Sequence, residues 1–351
     1  MMKQDQEKTA KPTINDIARV AQVSLATVDR VLNARPGVRE ITVQKVNKAI
    51  ADLGYVRDTA AANLARGRVY HFVFILPASD NEFVDLLESA IHQLGSGLRH
   101  ERTRLSCVRV AAFDPMALAA TIEKIDRVRA DGVAILGPET PSVRDSIAHL
   151  KENGVTVVSL AADIPSSERD RYVGVDNVAA GRTAGQLLGR FLAARTGKVL
   201  VLTGSMLARD HLERRLGFDE VMARDFPNLD VLASLEGRDD PGLIERLLPD
   251  VLADHADIVG IYSSAAGNDG LVRFLATKPF RQKPVIVAHE LTPLSRRALR
   301  DGIFDAVINQ DTGHLVRSAV RVMRAKRDKT PINTSQERIR IDIYLKENMP
   351  P

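Results

Sequence analysis

The sequence predicts an all-α N-terminal helix-turn-helix domain followed by a larger α/β core with parallel sheets, and three observations carry that reading. From Thr13 to Leu53 the apolar residues recur only at helical spacing. From Tyr70 onward, short and nearly continuous apolar runs alternate with amphipathic helical stretches. The chain, at 351 residues, is long enough for two or three domains and at least one well-buried core.

Taken in order, residues 1–11 are polar and without periodic apolar pattern, and are expected to be a disordered tail. Ile14, Ile17, Ala18 and Ala21 then share one helical face, as do Val28, Val31 and Leu32, and later Val43, Val46, Ile50 and Leu53. Thr13 can cap the first helix, with Asp16 favouring its positive end, and Ser24 can cap the second. Only about Gln22 and Val23 separate the two, which makes the pair a helix-turn-helix. Pro36 and Gly37 break the chain before a third helix expected from Thr42, and Gly54 lies just past its end. The stretch Val23 to Asn33, VSLATVDRVLN, can be read as a core helix or as one whose outer face meets DNA.

Charge adds a weak pointer to the second of these. Net charge is +4, with 12 basic and 7 acidic side chains in residues 1–68 against 37 and 38 in the remainder, so the whole basic excess sits at the N-terminus, as suits a segment approaching a polyanion. Thr59 to Arg68, TAAANLARGR, is Ala-rich with a basic end and too few large apolar residues for a core helix, so by itself it reads as a linker.

Strands are expected near Phe72–Leu76, Val108–Ala111, Val133–Leu136, Val155–Leu160, Val199–Leu202, Ile258–Tyr262, Val285–Ala288 and Ala306–Ile308, enough for two parallel sheets. Helical stretches such as Val84–Leu98, Ala117–Ala130, Ala179–Ala194, Leu212–Ala223 and Leu315–Lys326 lie between them. Ligands of open parallel sheets bind beyond the carboxyl ends of the strands. The residues found there include Ser79, Asp80, Asp163, Ser264, His289, Glu290, Gln310 and Asp311, a set rich in hydroxyls, carboxylates and amides that suits a polyhydroxylated ligand.

TINDIARVAQVSLATVDRVLN, residues 13–33, resembles the N-terminal helix-turn-helix of the lac repressor (LacI/GalR) family of bacterial transcription regulators. The likeness continues through RPGVREITVQKVNKAIADLGYVRDTAAANLARGR and into the core in GVDNVAAGRTAGQLLG and PVIVAHELTP, nearly the whole chain. The resemblance implies a helix-turn-helix domain over 12–58, a hinge helix over 59–68 and a two-lobed, periplasmic-binding-protein-like core over 69–347. It places one lobe at about 69–170 and 291–327 and the other at about 171–290 and 328–347.

By the same resemblance the second helix enters the major groove. Leu25 and Ala26 are then its variable reading pair, suited to thymine methyls, Arg30 suits guanine, and Asn33 reaches a base or a phosphate. Thr13, Ser24 and Thr27 match phosphate-contacting positions. Leu64 matches a minor-groove wedge, and Arg66 and Arg68 follow the phosphates. Two departures stand out: Gln22 occupies a turn position where the family usually has Gly, and Asp29 puts a carboxylate on a helix that approaches phosphates. An intramolecular partner is expected for Asp29.

In the core, the resemblance places Asp80 and Phe83 after the first strand, Arg214 at a ligand-binding position, Glu290 where an Asp commonly holds two hydroxyls, and Gln310 at a polar cleft position. Ser264 replaces a common Asn. His289 and Asp163 complete the candidate effector site, while Asp176 and Asn177 suit helix capping. A sugar or polyol is the implied effector, and Arg209, His211 and Arg214 leave room for a sugar acid or phosphate.

The implied partners are a palindromic operator and a second copy of the chain, with the effector controlling affinity allosterically. No cofactor or metal is expected, and no enzyme: HELTP lacks the second histidine of a zinc HExxH site, and no P-loop or GxSxG elbow is present. A secreted sugar-binding protein is the rival. Met1 to Val20 lacks a signal-peptide-like apolar stretch and no run approaches a membrane span, so a cytoplasmic location is expected. The single cysteine, Cys107, lies in a strand-like run and is expected to be structural.

Overall fold

The computed structural model describes residues 12–32, 36–55, 69–125, 129–192, 194–265, 267–277 and 282–350. They form two compact units, divided between residues 68 and 69.

The first unit is three helices, α1 (Ile14–Ala21), α2 (Leu25–Leu32) and α3 (Glu40–Leu53), around Ile17, Val28 and Val46, each fully buried. Thr13 caps α1 in a reciprocal box: its hydroxyl accepts from the Asp16 N–H, and the Asp16 carboxylate accepts from the Thr13 N–H at 3.0 Å. The third helix starts two residues before the expected Thr42, because the extended Arg39 already offers its carbonyl to the Thr42 and Val43 N–H groups.

The tight turn between α1 and α2 is made by Gln22, whose backbone is left-handed at φ +54°. A side chain there costs about 1–2 kcal/mol relative to the right-handed region. Gln22→Gly is therefore expected to stabilise this unit by about 0.5–1 kcal/mol after glycine's greater unfolded entropy is subtracted. A denaturant titration of the intact chain that shows no gain in the midpoint of this unit would refute it.

The second unit holds two sheets. In the first, β1 (Tyr70–Ala78), β2 (Thr103–Ala111), β3 (Gly132–Ile135), β4 (Thr156–Leu160) and β5 (Arg171–Val173) run parallel in the order β2-β1-β3-β4-β5. Helix α4 (Glu82–Leu98) covers one face, and α5 (Pro115–Ile125) and α6 (Pro141–Glu152) cover the other through Leu118, Ile122, Val143 and Ile147. α7 (Asn177–Phe191) opens the second lobe, which continues through β6 (Gly197–Thr203), α8 (Arg209–Asp225), β7 (Leu229–Glu236), α9 (Pro241–Asp254), β8 (Ile258–Ser263), α10 (Asn268–Thr277), β9 (Val285–His289), α11 (Pro293–Arg300) and β10 (Ala306–Asn309). Then α12 (Thr312–Asp328) returns to the first sheet beside α4, and β11 (Asp342–Tyr344) closes the second sheet antiparallel to β10, giving β11-β10-β9-β8-β6-β7.

The chain thus passes between the lobes after β5, after β10 and after α12. The middle passage corrects the expected one near residue 291. Residues 291–311 remain with the second lobe, because β10 pairs with β9 (Ala306 opposite Val287) and the Glu290 N–H donates to the Ile308 carbonyl. Among the strands, β7 and the three-residue β5 were not expected; both are sheet edges whose burial is only partial, so neither reads as an apolar run.

Cys107 lies in β2, where burial pushes its thiol up to about 12, keeping it protonated and unreactive. Among the described residues no helix is long and apolar enough to cross a membrane.

Candidate functional site

The two units each present one surface with chemistry to offer. On α2, Val28 is fully buried, and Val31 and Leu32 pack beside it, so the opposite face is presented outward: Leu25 is 50% exposed, and Ala26 and Arg30 are exposed with it. At its start the Ser24 hydroxyl accepts from the Thr27 N–H at 3.2 Å and pairs with the Thr27 hydroxyl at 2.9 Å. Asp29 is half-buried and engaged by another group of the chain. Thr13 is exposed at the start of α1. Asn33, Leu64, Arg66 and Arg68 lie outside the described residues.

In the second unit a cavity of about 490 Å³ opens between the lobes at the carboxyl ends of the strands. The first lobe lines it with Asp80, Asn81, Phe83 and Phe113, the second with Asp210, His211, Arg214, Asp239, Asn268, His289 and Glu290. Asp80, Phe83, Arg214, His289 and Glu290, five of the residues expected at the effector site, therefore share this cavity.

The centre of the cavity is a buried ion pair. Arg214 is 3% exposed; its Nε donates to Asn177 Oδ1 at 2.9 Å, one terminal nitrogen to the Ser264 carbonyl at 2.8 Å and the other to Glu290 Oε1 at 3.1 Å. Gln310 Nε2 donates to the same Glu290 oxygen at 3.0 Å. Burial pushes the Glu290 carboxyl up, while the Arg214 guanidinium and the Gln310 amide pull it down. Glu290 also holds a left-handed backbone at φ +67°, fixed by its N–H to Ile308 and by the Ser295 hydroxyl donating to its carbonyl at 2.5 Å. His289 pairs with the Tyr262 hydroxyl at 2.9 Å, and burial lowers its pKa well below the usual value, so the ring is neutral.

Three candidates sit elsewhere. Gln310 does not line the cavity and acts on it through Glu290. Ser264 is fully buried with its hydroxyl donating to the Leu202 carbonyl. Asp163 lies outside the lining because Arg169 claims both its oxygens, at 2.5 and 2.6 Å. Arg209 likewise pairs with Glu213 at 2.7 Å and is not in the lining, and Asp176 caps α7 through the Ala179 N–H.

Sequence reasoning missed Asn81 and Asp239, which join the lobes: Asn81 Nδ2 donates to Asp239 Oδ2 at 3.0 Å. Asp239 is 6% exposed, and it follows β7, so overlooking that edge strand also hid the carboxyl end where it sits. Asp210, beside the noticed Arg209 and His211, was passed over as well. Among the described residues no three His, Cys, Asp or Glu side chains are placed to hold a metal ion.

A helix-turn-helix unit carried on a two-lobed, cleft-bearing α/β unit defines a class, the DNA-binding regulators with a small-molecule-binding module. Residues 13–58 match the family of bacterial regulatory proteins called the lacI family, and residues 72–330 match the periplasmic binding protein domain. The HTH-type transcriptional regulator GntR of Pseudomonas aeruginosa is 28% identical over 287 residues, covering 77% of this chain and 69% of that regulator. Catabolite control protein B of Bacillus subtilis is 29% identical over 161 residues, 45% of this chain and half, 50%, of that protein. Among solved structures, an ABC transporter solute binding protein from Burkholderia graminis in complex with D-arabinose matches with TM-score 0.72 at 22% identity, over 80% of this chain and 96% of its own. The glucose-galactose binding protein GanP from Geobacillus stearothermophilus matches equally, at TM-score 0.72 and 22% identity over 81% of this chain and 99% of its own. The chain belongs to the lacI family of bacterial regulatory proteins, and it is a DNA-binding transcriptional regulator with a periplasmic-binding-protein-like second unit.

Proposed function

We propose that this regulator binds a palindromic operator as a cytoplasmic homodimer, acts as a repressor, and changes its operator affinity when a sugar or polyol occupies the interlobe cleft. One observation carries the effector reading: Glu290, which lines the cleft, has its Oε2 buried with no hydrogen-bond partner, beside an Arg214 that fixes the carboxylate. A buried acceptor left unmade costs about 1–3 kcal/mol, which a ligand presenting a hydroxyl would recover. The solved structures that share this fold, one in complex with D-arabinose and one a glucose-galactose binding protein, support the class. Asp80, Phe83, His289 and Asn81 complete the proposed contacts; Ser264 supports the cleft through its carbonyl, which accepts from Arg214, and Asp163 stays bound to Arg169.

The ligand works by binding open and closed lobe arrangements unequally, and a dimer transmits that difference to two helix-turn-helix units. On DNA, Leu25 and Ala26 meet thymine methyls, Arg30 a guanine edge, and Thr13, Ser24 and Thr27 the phosphates, with Asn33 beside them; Leu64 and Arg66 form the hinge contacts to the minor groove and its backbone. The proposed boundaries are 12–58 for the DNA-binding domain and 59–68 for the hinge.

Calorimetry with a sugar and polyol panel tests the cleft: Glu290→Ala should abolish binding of whichever member the wild type takes, and unchanged affinity would remove Glu290 from the site. Footprinting identifies the operator, on which Arg30→Ala should cost about 1–3 kcal/mol, or roughly 5- to 150-fold in affinity, and relax the choice of base at one position in each half-site. Leu64→Ala should weaken binding as well; operator affinity indifferent to both substitutions would overturn the DNA assignments.

A further inference from the structure

Among the described residues, the cleft carries far more negative charge than its two arginines balance. Arg214 is committed to Glu290 at 3.1 Å, and Arg273 to Asp269 at 2.9 Å and Glu245 at 3.3 Å. Six other carboxylates line the same cavity, those of Asp80, Glu82, Asp114, Asp210, Asp239 and Asp240. Asp114 and Asp240 accept from backbone N–H groups at the starts of α5 and α9, and Glu82 accepts from the Leu294 N–H at 3.3 Å. Arg209, the next nearest cation in sequence, is bound to Glu213 and Glu139, and the exposed Arg238 lines a neighbouring cavity that shares Asp80, Asp239 and Asp240 with this one.

Asp210 and Asp239 are the two inside the cavity wall. Asp210 faces His211 at 3.7 Å, and Asp239, with one oxygen on Asn81, has its other oxygen, Oδ1, buried without a hydrogen-bond partner; burial pushes the Asp239 carboxyl up, while His211 and Asn81 pull it down. An ideal Cβ placed on Gly204 would stand 2.5 Å from that oxygen and 2.6 Å from His211 Cε1, so the carboxylate, the imidazole and a bare glycine backbone meet at one point. A low-dielectric cleft lined by one sign of charge concentrates neutral and positive molecules relative to negative ones.

We propose that the cleft is charge-selective: it accepts uncharged or ammonium-bearing polyols and rejects sugar acids and sugar phosphates of the same shape, with Asp239 and Asp210 imposing the choice. This rests on the polyol reading of the cleft and names which part of that class it takes. It also sets aside the acid or phosphate that Arg209, His211 and Arg214 suggested from sequence, since Arg209 and Arg214 are already paired.

The test is calorimetry on the intact protein with matched sets of aldopentoses and aldohexoses: each sugar, its 2-amino form, its aldonate and its phosphate. In the set that binds best, the neutral or amino form should bind at least about tenfold tighter than the aldonate and phosphate, the effect of one unit charge some 6 Å away at an effective dielectric near 40. Asp239→Asn and Asp210→Asn should each narrow that ratio severalfold, and added salt should narrow it in the wild type. A tightest ligand that is an aldonate or a phosphate, or a ratio untouched by both substitutions, overturns the inference while leaving a polyol cleft in place. The wild-type comparison decides even if a variant fails to fold. A wild type that binds operator but no member of any set overturns the polyol reading itself, and this inference with it.

Discussion

Arg214→Met is expected to destabilise the second unit by about 3–5 kcal/mol, the usual cost of removing one partner from a buried ion pair. Arg214 and Glu290 are 3% and 8% exposed, and Met fills the volume without supplying a charge. Three acceptors lose their donor at once: Asn177, the Ser264 carbonyl and Glu290. The pH dependence gives a sign that distinguishes this cause from simple misfit. Burial already raises the Glu290 pKa in the folded protein, and losing Arg214 removes the charge that opposed it. A carboxyl with a raised folded pKa takes up protons on folding, so the variant should lose stability as pH rises through that pKa and recover part of it on acidification, with no further gain below the unfolded value. Adding Glu290→Gln to the variant should restore much of the loss at neutral pH without restoring effector binding. Denaturant titrations at several pH values check this; a deficit that stays constant with pH would mean the missing hydrogen bonds, and not the stranded charge, dominate.

Gly181→Ala or Gly217→Ala should cost about 3 kcal/mol or more, at the upper end of overpacking. A Cβ on Gly181 would lie 1.9 Å from the Arg214 carbonyl oxygen, and one on Gly217 would lie 2.0 Å from the Val178 carbonyl oxygen. Both obstacles are backbone, so α7 and α8 would have to separate. Because α8 carries Asp210, His211 and Arg214, the displacement should weaken effector binding along with stability. Gly97 supplies the contrast: a Cβ there meets nothing within 4 Å in α4, and Gly97→Ala should stabilise by about 0.5–1 kcal/mol. Equal melting temperatures for Gly181→Ala and wild type would refute the close packing.

What was legible in the sequence follows from how local each cause is. Thr13, Asp16, Ser24 and Gly54 sit at the helix ends they signal, so the first unit could be read almost residue by residue. Strands such as β1, β3, β4 and β9, buried on both faces, announced themselves as apolar runs. The edge strands β5 and β7 did not. For the cleft, strand ends pointed to the right region, but a strand end does not say which way a side chain turns. Asp163 turns to Arg169, six residues on, while Arg214 and Glu290, 76 residues apart, meet only through the packing of α8 against the second sheet. Only the family resemblance places both of them at one ligand site.

The passage of the chain between lobes has one more consequence, for the order in which the protein can be made. The face of the first sheet that takes α12 receives it from residues 312–328, long after the last strand of that sheet at 171–173 has left the ribosome. Until then Leu315, Val316, Ala319 and Met323 are missing from its core, and apolar surface on β3 and β4 stands open. A nascent chain halted near residue 300 is expected to hold every strand of the first lobe with that apolar face still uncovered, and both β10 of the second sheet and α12 of the first lobe lie beyond the halt.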